Sequence, residues 1–75
     1  MKIHLSGHLN WYEGEKRAWL DLKIDRAIPL AALVEDLGIP PGEIVVMLVN
    51  GQQSHLSAMV GEGDVVELFP PASGG

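Results

Sequence analysis

The sequence predicts a two-layer α+β domain, with one short helix laid across one face of a mixed sheet. Three observations lead there. Stretches near both ends of the chain alternate apolar and polar residues with the period of two that belongs to a half-buried strand. One segment near the middle changes to the period of a helix. Gly, Pro and Asn clusters separate these segments and supply the turns. The chain has 75 residues, room for one domain with a modest core. Its residues are 47% apolar and 20% charged, too apolar for a disordered chain.

Each element can be justified in turn. "KIHLSGHL" at 2–9 reads as the first strand, with Ile3, Leu5 and Leu9 on one face and Lys2, His4 and His8 on the other. "NWYEGE" at 10–15 breaks the pattern and reads as a turn. "RAWLDLKI" at 17–24 reads as the second strand of a hairpin, with Ala18, Leu20, Leu22 and Ile24 inward and Trp19, Asp21 and Lys23 outward. In "IPLAALVEDLG" at 28–38, Leu30, Leu33, Val34 and Leu37 fall at i, i+3, i+4 and i+7, one stripe of a helix. Pro29 suits the first turn of that helix, Gly38 the left-handed residue beyond its end, and Pro40-Pro41 forbids continuation.

"EIVVMLV" at 43–49 reads as a strand that is apolar on both faces. Asn50-Gly51 after it is a type I′ hairpin signal. The mixed stretch 52–60 reads as a short edge strand and an irregular connection, and "GEGD" at 61–64 as a turn. "VVELF" at 65–69 is the last strand, with Val66 and Leu68 inward and Val65, Glu67 and Phe69 outward. Pro70 and Pro71 end it by removing ladder donors. The first and last strands are expected to be central and parallel. Residues 1–69 form the domain, and 70–75 a flexible tail ending in Gly74-Gly75.

Composition excludes several chemistries. The absence of cysteine removes a disulfide framework, a thiolate zinc site and a cysteine nucleophile, and fits a cytoplasmic protein. The longest apolar run, "IVVMLV", is far too short to span a membrane, and no signal-like core opens the chain. A net charge of −5 argues against nucleic acid and anionic membranes as partners. His4 and His8 would lie roughly 13 Å apart along a strand, too far to share a zinc ion, so no metal site is expected. Glu35, Asp36, Glu62 and Asp64 sit at ordinary solvated positions, and "GEGD" is followed by no phosphate-binding helix. Trp11, Tyr12 and Trp19 form either a small aromatic binding cluster or partial cover for the core. The expectation is a chain with no catalytic residue and no bound cofactor.

What remains is the terminus. "VNGQ" at 49–52, "GEGDVVELFPP" at 61–71 and "GG" at 74–75, with "GIPPGE" at 38–43, resemble the ubiquitin-like β-grasp sulfur carriers. That family includes the small subunit of molybdopterin synthase and the thiamine-pathway sulfur carrier. "ELFPPASGG" is similar to the molybdopterin type and "LGIPPGEIVV" to the thiamine type, while the first hairpin is longer than usual. The resemblance implies a β-grasp fold, with a mixed sheet of four to five strands.

The resemblance also implies a mechanism. A ubiquitin-activating-like enzyme uses ATP to adenylate the Gly75 carboxylate. A persulfide donor then supplies sulfur, leaving a thiocarboxylate, and a synthase subunit accepts that sulfur into a cofactor. In this scheme Pro70, Pro71, Ala72, Ser73 and Gly74 insert into the partner, and Phe69 and Glu67 dock on it. Six residues reach at most about 20 Å, and none of the six carries a charged side chain that would have to be desolvated. Two other readings use the same residues. One is a ubiquitin-like modifier conjugated through Gly75; the other is a β-grasp interaction domain whose Gly-Gly is incidental.

Overall fold

In the computed structural model, which describes residues 1–71, the two alternating ends of the chain become the central strands of one sheet. β1 (Lys2–Leu5) lies parallel to the last strand, Val65–Phe69, with Ile3 beside Val66 and Leu5 beside Leu68. β2 (Trp19–Asp21) pairs antiparallel with β1. β3 (Ile28–Pro29) precedes α1 (Leu30–Asp36). β4 (Val46–Val49) and β5 (Gln52–Gln53) form a hairpin, then come β6 (Met59–Val60) and β7, the Val65–Phe69 strand. The main sheet runs β2-β1-β7-β4-β5. A mixed five-stranded sheet carrying one helix is the ubiquitin-like β-grasp arrangement that the sequence led us to expect. Among the described residues no helix is long and apolar enough to cross a membrane.

The helix stripe is where the core forms. Leu30, Leu33 and Val34 are buried in one cluster with Ile3, Leu5, Leu20, Val66 and Leu68, while Leu37 is half-buried at its margin. Gly38 takes φ +74°, the left-handed turn that ends the helix. Pro29 lies just outside the helix rather than in its first turn, and the helix start has no side-chain cap. Its free donors are met by the backbone instead: Leu30 N–H donates to Ala58 O (2.8 Å) and Ala31 N–H to Leu56 O (2.9 Å).

Four further expectations need correction. The first strand stops at Leu5, and Gly7–Tyr12 is a 3₁₀ helix. Gly7 adopts φ +58°, which breaks the extended run, and the 3₁₀ turn still delivers Leu9 into the core with no exposed surface. Only Trp19–Asp21 of 17–24 forms ladder, and Ala18 is exposed rather than inward. The loop before it is closed by Glu13, whose carboxylate accepts from the Glu15 and Arg17 N–H groups and from the Arg17 guanidinium. Those bonds, Arg17 first, hold the Glu13 carboxyl at about 2, well below the usual range. The 43–49 strand begins only at Val46, because Pro41–Glu43 is a 3₁₀ turn. Lastly, 52–60 contains a second strand, β6, which pairs with β3 in a separate two-stranded sheet.

Two turns singled out by sequence turn out to be joined. Asn50 and Gly51 have φ +53° and +81°, as a type I′ turn requires. Asn50 Nδ2 donates to Asp64 Oδ1 (2.9 Å), Val65 N–H donates to Asn50 Oδ1 (2.9 Å), and Gly61 N–H donates to Asp64 Oδ2 (2.8 Å). The Asn50 amide, and then the Gly61 N–H, hold the Asp64 carboxyl below its ordinary range.

Two outcomes follow from this packing. Leu33→Ala should cost about 2–5 kcal/mol, read from the urea midpoint, because Leu33 is buried and cannot be replaced by relaxation. Asn50→Ala and Asp64→Ala should be non-additive, with a coupling of about 0.5–3 kcal/mol in a double-mutant cycle. Because the folded Asp64 carboxyl titrates below its unfolded value, the coupling should be fully present above the ordinary carboxylate range. It should fade as pH falls through the folded value. Additive losses at neutral pH would contradict the joined turns.

Candidate functional site

Strand alternation presents a second face, opposite the helix. One row crosses all five strands: Trp19 on β2 pairs with His4 on β1, His4 with Glu67 on β7, Glu67 with Leu48 on β4, and Leu48 with Gln53 on β5. A step further along β7, Phe69 is paired with Val46. The apolar surplus of 44–49 therefore divides between two faces. Met47 and Val49 pack on the core, while Val46 and Leu48 lie on the outer face with Phe69. Val45 next to them is 60% exposed, and its N–H donates to Phe69 O.

The centre of this face is built from rings. His4 stacks on Trp19 with centroids 4.5 Å apart and planes at 21°, and meets Phe69 edge-on at 6.5 Å and 83°. The stack leaves Trp19 52% exposed and buries His4 Nδ1, which has no hydrogen-bond partner among the described residues. Glu67 sits in register beside His4 as the carboxylate of the central row, flanked by Leu48. Apolar and aromatic side chains flank Glu67 on this face, and the Lys2–Asp21 pair lies further along it; a carboxylate so placed suits a basic side chain set in an apolar surround.

Other candidates disperse. His8 Nε2 lies 3.1 Å from Glu43 Oε2 and His55 Nδ1 lies 2.7 Å from Ser57 Oγ, so the three histidines occupy three different places. Among the described residues no group of three His, Asp or Glu side chains could hold a metal ion. Trp11, Tyr12 and Trp19 do not form one cluster: Trp19 stacks on His4, and Lys16 Nζ lies 5.2 Å over Trp11. Trp19 and His4 share their parity with Glu67 and Phe69 across the sheet, a signal present in the sequence but masked by the polar character of His4.

The strand that carries Glu67 and Phe69 leads directly into Pro70, half-buried, and Pro71, exposed. Ala72, Ser73, Gly74 and Gly75 lie outside the described residues.

Comparison with known proteins agrees with this geometry. The ThiS family model matches residues 12–75, most of the chain. This chain belongs to the ThiS family. The match bears out the resemblance to the ubiquitin-like sulfur carriers. Among solved structures, SAMP1 from Haloferax volcanii is 25% identical, with a TM-score of 0.69, covering 100% of this chain and 98% of that one. A thiamine biosynthesis protein from Geobacter metallireducens is 20% identical, with a TM-score of 0.55, covering 100% and 88%, and shares the fold. No curated protein matches the chain in sequence. The match to the ThiS family covers β2 to β7, the Glu67 and Phe69 strand among them.

Since the outer-face rings lie outside the core, Trp19→Ala and Phe69→Ala should each leave a cooperative fold. The loss should include about 0.5–1.5 kcal/mol for the aromatic pair plus the limited apolar area that each ring buries, and stay below that of Leu33→Ala. A loss as large as that of Leu33→Ala, read from urea midpoints, would mean that the rings are part of the core.

Proposed function

We propose that this chain is a sulfur carrier whose Gly75 carboxylate is the reacting group. The observation that carries the reading is the continuity of β7. One strand of a ThiS-family chain bears the outer-face residues Glu67 and Phe69 and then passes through Pro70-Pro71 toward Gly74-Gly75. The face docks on an adenylating enzyme, and the tail reaches its active site.

Physical chemistry orders the steps. A free carboxylate is a poor electrophile, so an oxygen of Gly75 first attacks the α-phosphorus of ATP, releasing pyrophosphate and giving an acyl adenylate. The terminal sulfur of a protein persulfide then attacks the acyl carbon, and AMP leaves with the C–O bond pair. A thiol attacks the donor's sulfur and cleaves the S–S bond. The products are a disulfide and the Gly75 thiocarboxylate, and a synthase accepts the sulfur from it. Such a synthase is of the molybdopterin or thiamine kind. ATP belongs to the activating partner and not to this chain. Gly74 and Gly75 fit a narrow channel because they have no side chains. Pro70 and Pro71 lower the entropy lost on insertion.

The test is ATP–pyrophosphate exchange by the cognate activating enzyme. Deleting Gly75, or adding one alanine after it, shifts the carboxylate by ~3.5 Å, and should abolish exchange without moving the Tm. Gly74→Val should slow exchange strongly at unchanged Tm, and Phe69→Ala should raise KM while leaving a folded domain. The intact mass of protein from its native cells should show one oxygen replaced by sulfur. Normal exchange by the extended protein would overturn the reading. Gly75-linked lysine conjugates without thiocarboxylate would favour a protein modifier.

A further inference from the structure

The root of the tail is held from an unexpected quarter. Gly7, at the start of the 3₁₀ helix, adopts φ +58°, and a Cβ built on it would lie 2.7 Å from Pro70 Cγ and 3.3 Å from Pro70 Cδ. Carbon atoms pack best at about 3.5–4.0 Å, so a side chain cannot share this space with the ring. The ring closes back on its own backbone and cannot swing aside as a long side chain would. Yielding to a Cβ at Gly7 therefore means moving the main chain at residue 7 or at residue 70.

The surroundings make this a fixed seat. Ser6 N–H donates to Leu68 O at 2.9 Å, one further rung of the β1–β7 ladder. Beyond it, β1 turns away at Gly7 while β7 runs on to Phe69. Leu9, fully buried, anchors the 3₁₀ segment that starts at Gly7. Among the glycines of the described residues, Gly7 alone combines a positive φ with a neighbour inside 4 Å of its missing Cβ; Gly38, Gly51 and Gly63 share the positive φ but have open space there.

We infer that Gly7 is a positioning residue: its bare α-carbon seats the Pro70 ring and thereby sets the direction in which the chain leaves the sheet toward Gly75. The inference rests on the carrier reading above for its use in adenylation, but the seat itself is a property of the free domain. The effect belongs to the reaction rather than to docking, because Gly7 stands at the end of the sheet and outside the row that carries Glu67. A tail aimed wrongly reaches the partner with its carboxylate displaced, and a misplacement of about 1 Å can cost roughly a hundredfold in rate.

The experiment has two arms. In the first, NMR of the free wild-type protein should show NOEs between Gly7 Hα and the Pro70 ring. In the second, ATP–pyrophosphate exchange is measured for wild type, Gly7→Asn, Pro70→Ala and the double variant. Asparagine tolerates the left-handed conformation, so Gly7→Asn adds the Cβ while sparing the backbone angle. We expect it to lower kcat by about tenfold or more with KM little changed. In the Pro70→Ala background, where Cγ and Cδ are gone, adding Asn at position 7 should have little further effect. An equal loss in both backgrounds would show that Gly7 serves only its own backbone angle, and would overturn the inference. So would undiminished exchange by Gly7→Asn, or absent NOEs in the wild type. If the wild type supports no exchange at all, the carrier reading fails, and the NOEs alone decide the seat.

Discussion

Everything in this domain depends on the parallel pairing of β1 with β7. Lys2–Leu5 and Val65–Phe69 lie side by side at the centre of the sheet, and the rest of the chain is the connection between them. A parallel pair requires a crossover, and α1 supplies it. The helix is seven residues long and has no side-chain cap at its start, so it is stabilised by burial of Leu30, Leu33 and Val34 against that pair and not by its own propensity. Its N-terminal donors are met by the 56–58 backbone, which in turn depends on the β3–β6 ladder. Remove the central pair and each of these loses its support.

The same pairing links core to outer face through parity. On β7, Val66 and Leu68 are buried while Glu67 and Phe69 face outward, and a slip of one residue would exchange the two sets. Register is held at one end by Ser6 N–H on Leu68 O, and at the other by Asn50 bonded to Val65 and Asp64. The joined Asn50 and Asp64 turns therefore do more than close two loops. They fix which side of β7 meets the helix, and hence which side is left on the outer face.

Much of this was legible in the sequence. Alternation in 2–5 and 65–69 gave the central strands, the i, i+3, i+4 stripe gave the buried face of α1, and Asn50-Gly51 and Gly38 gave two turns at their observed backbone angles. Glu67 and Phe69 were readable as outward-facing from parity alone. Other features were hidden for identifiable reasons. β3 and β6 are two residues each, too short to show a period, and are defined by pairing with one another. Leu9 points to the core from either a strand or a 3₁₀ turn, so inward parity could not separate the two. The His4 stack and the Gly7–Pro70 contact bring together residues distant in sequence, and no local pattern records them.

The central placement of β7 also bears on how such a chain is made. A ribosome releases β1 first and β7 last, and the sheet has no middle until synthesis has passed Phe69. An unfinished chain without β7 cannot close the core, so it remains open to proteolysis. The outer face with Glu67 and Phe69 is completed by that same strand. Truncation before β7 thus removes the closed core and the outer face together.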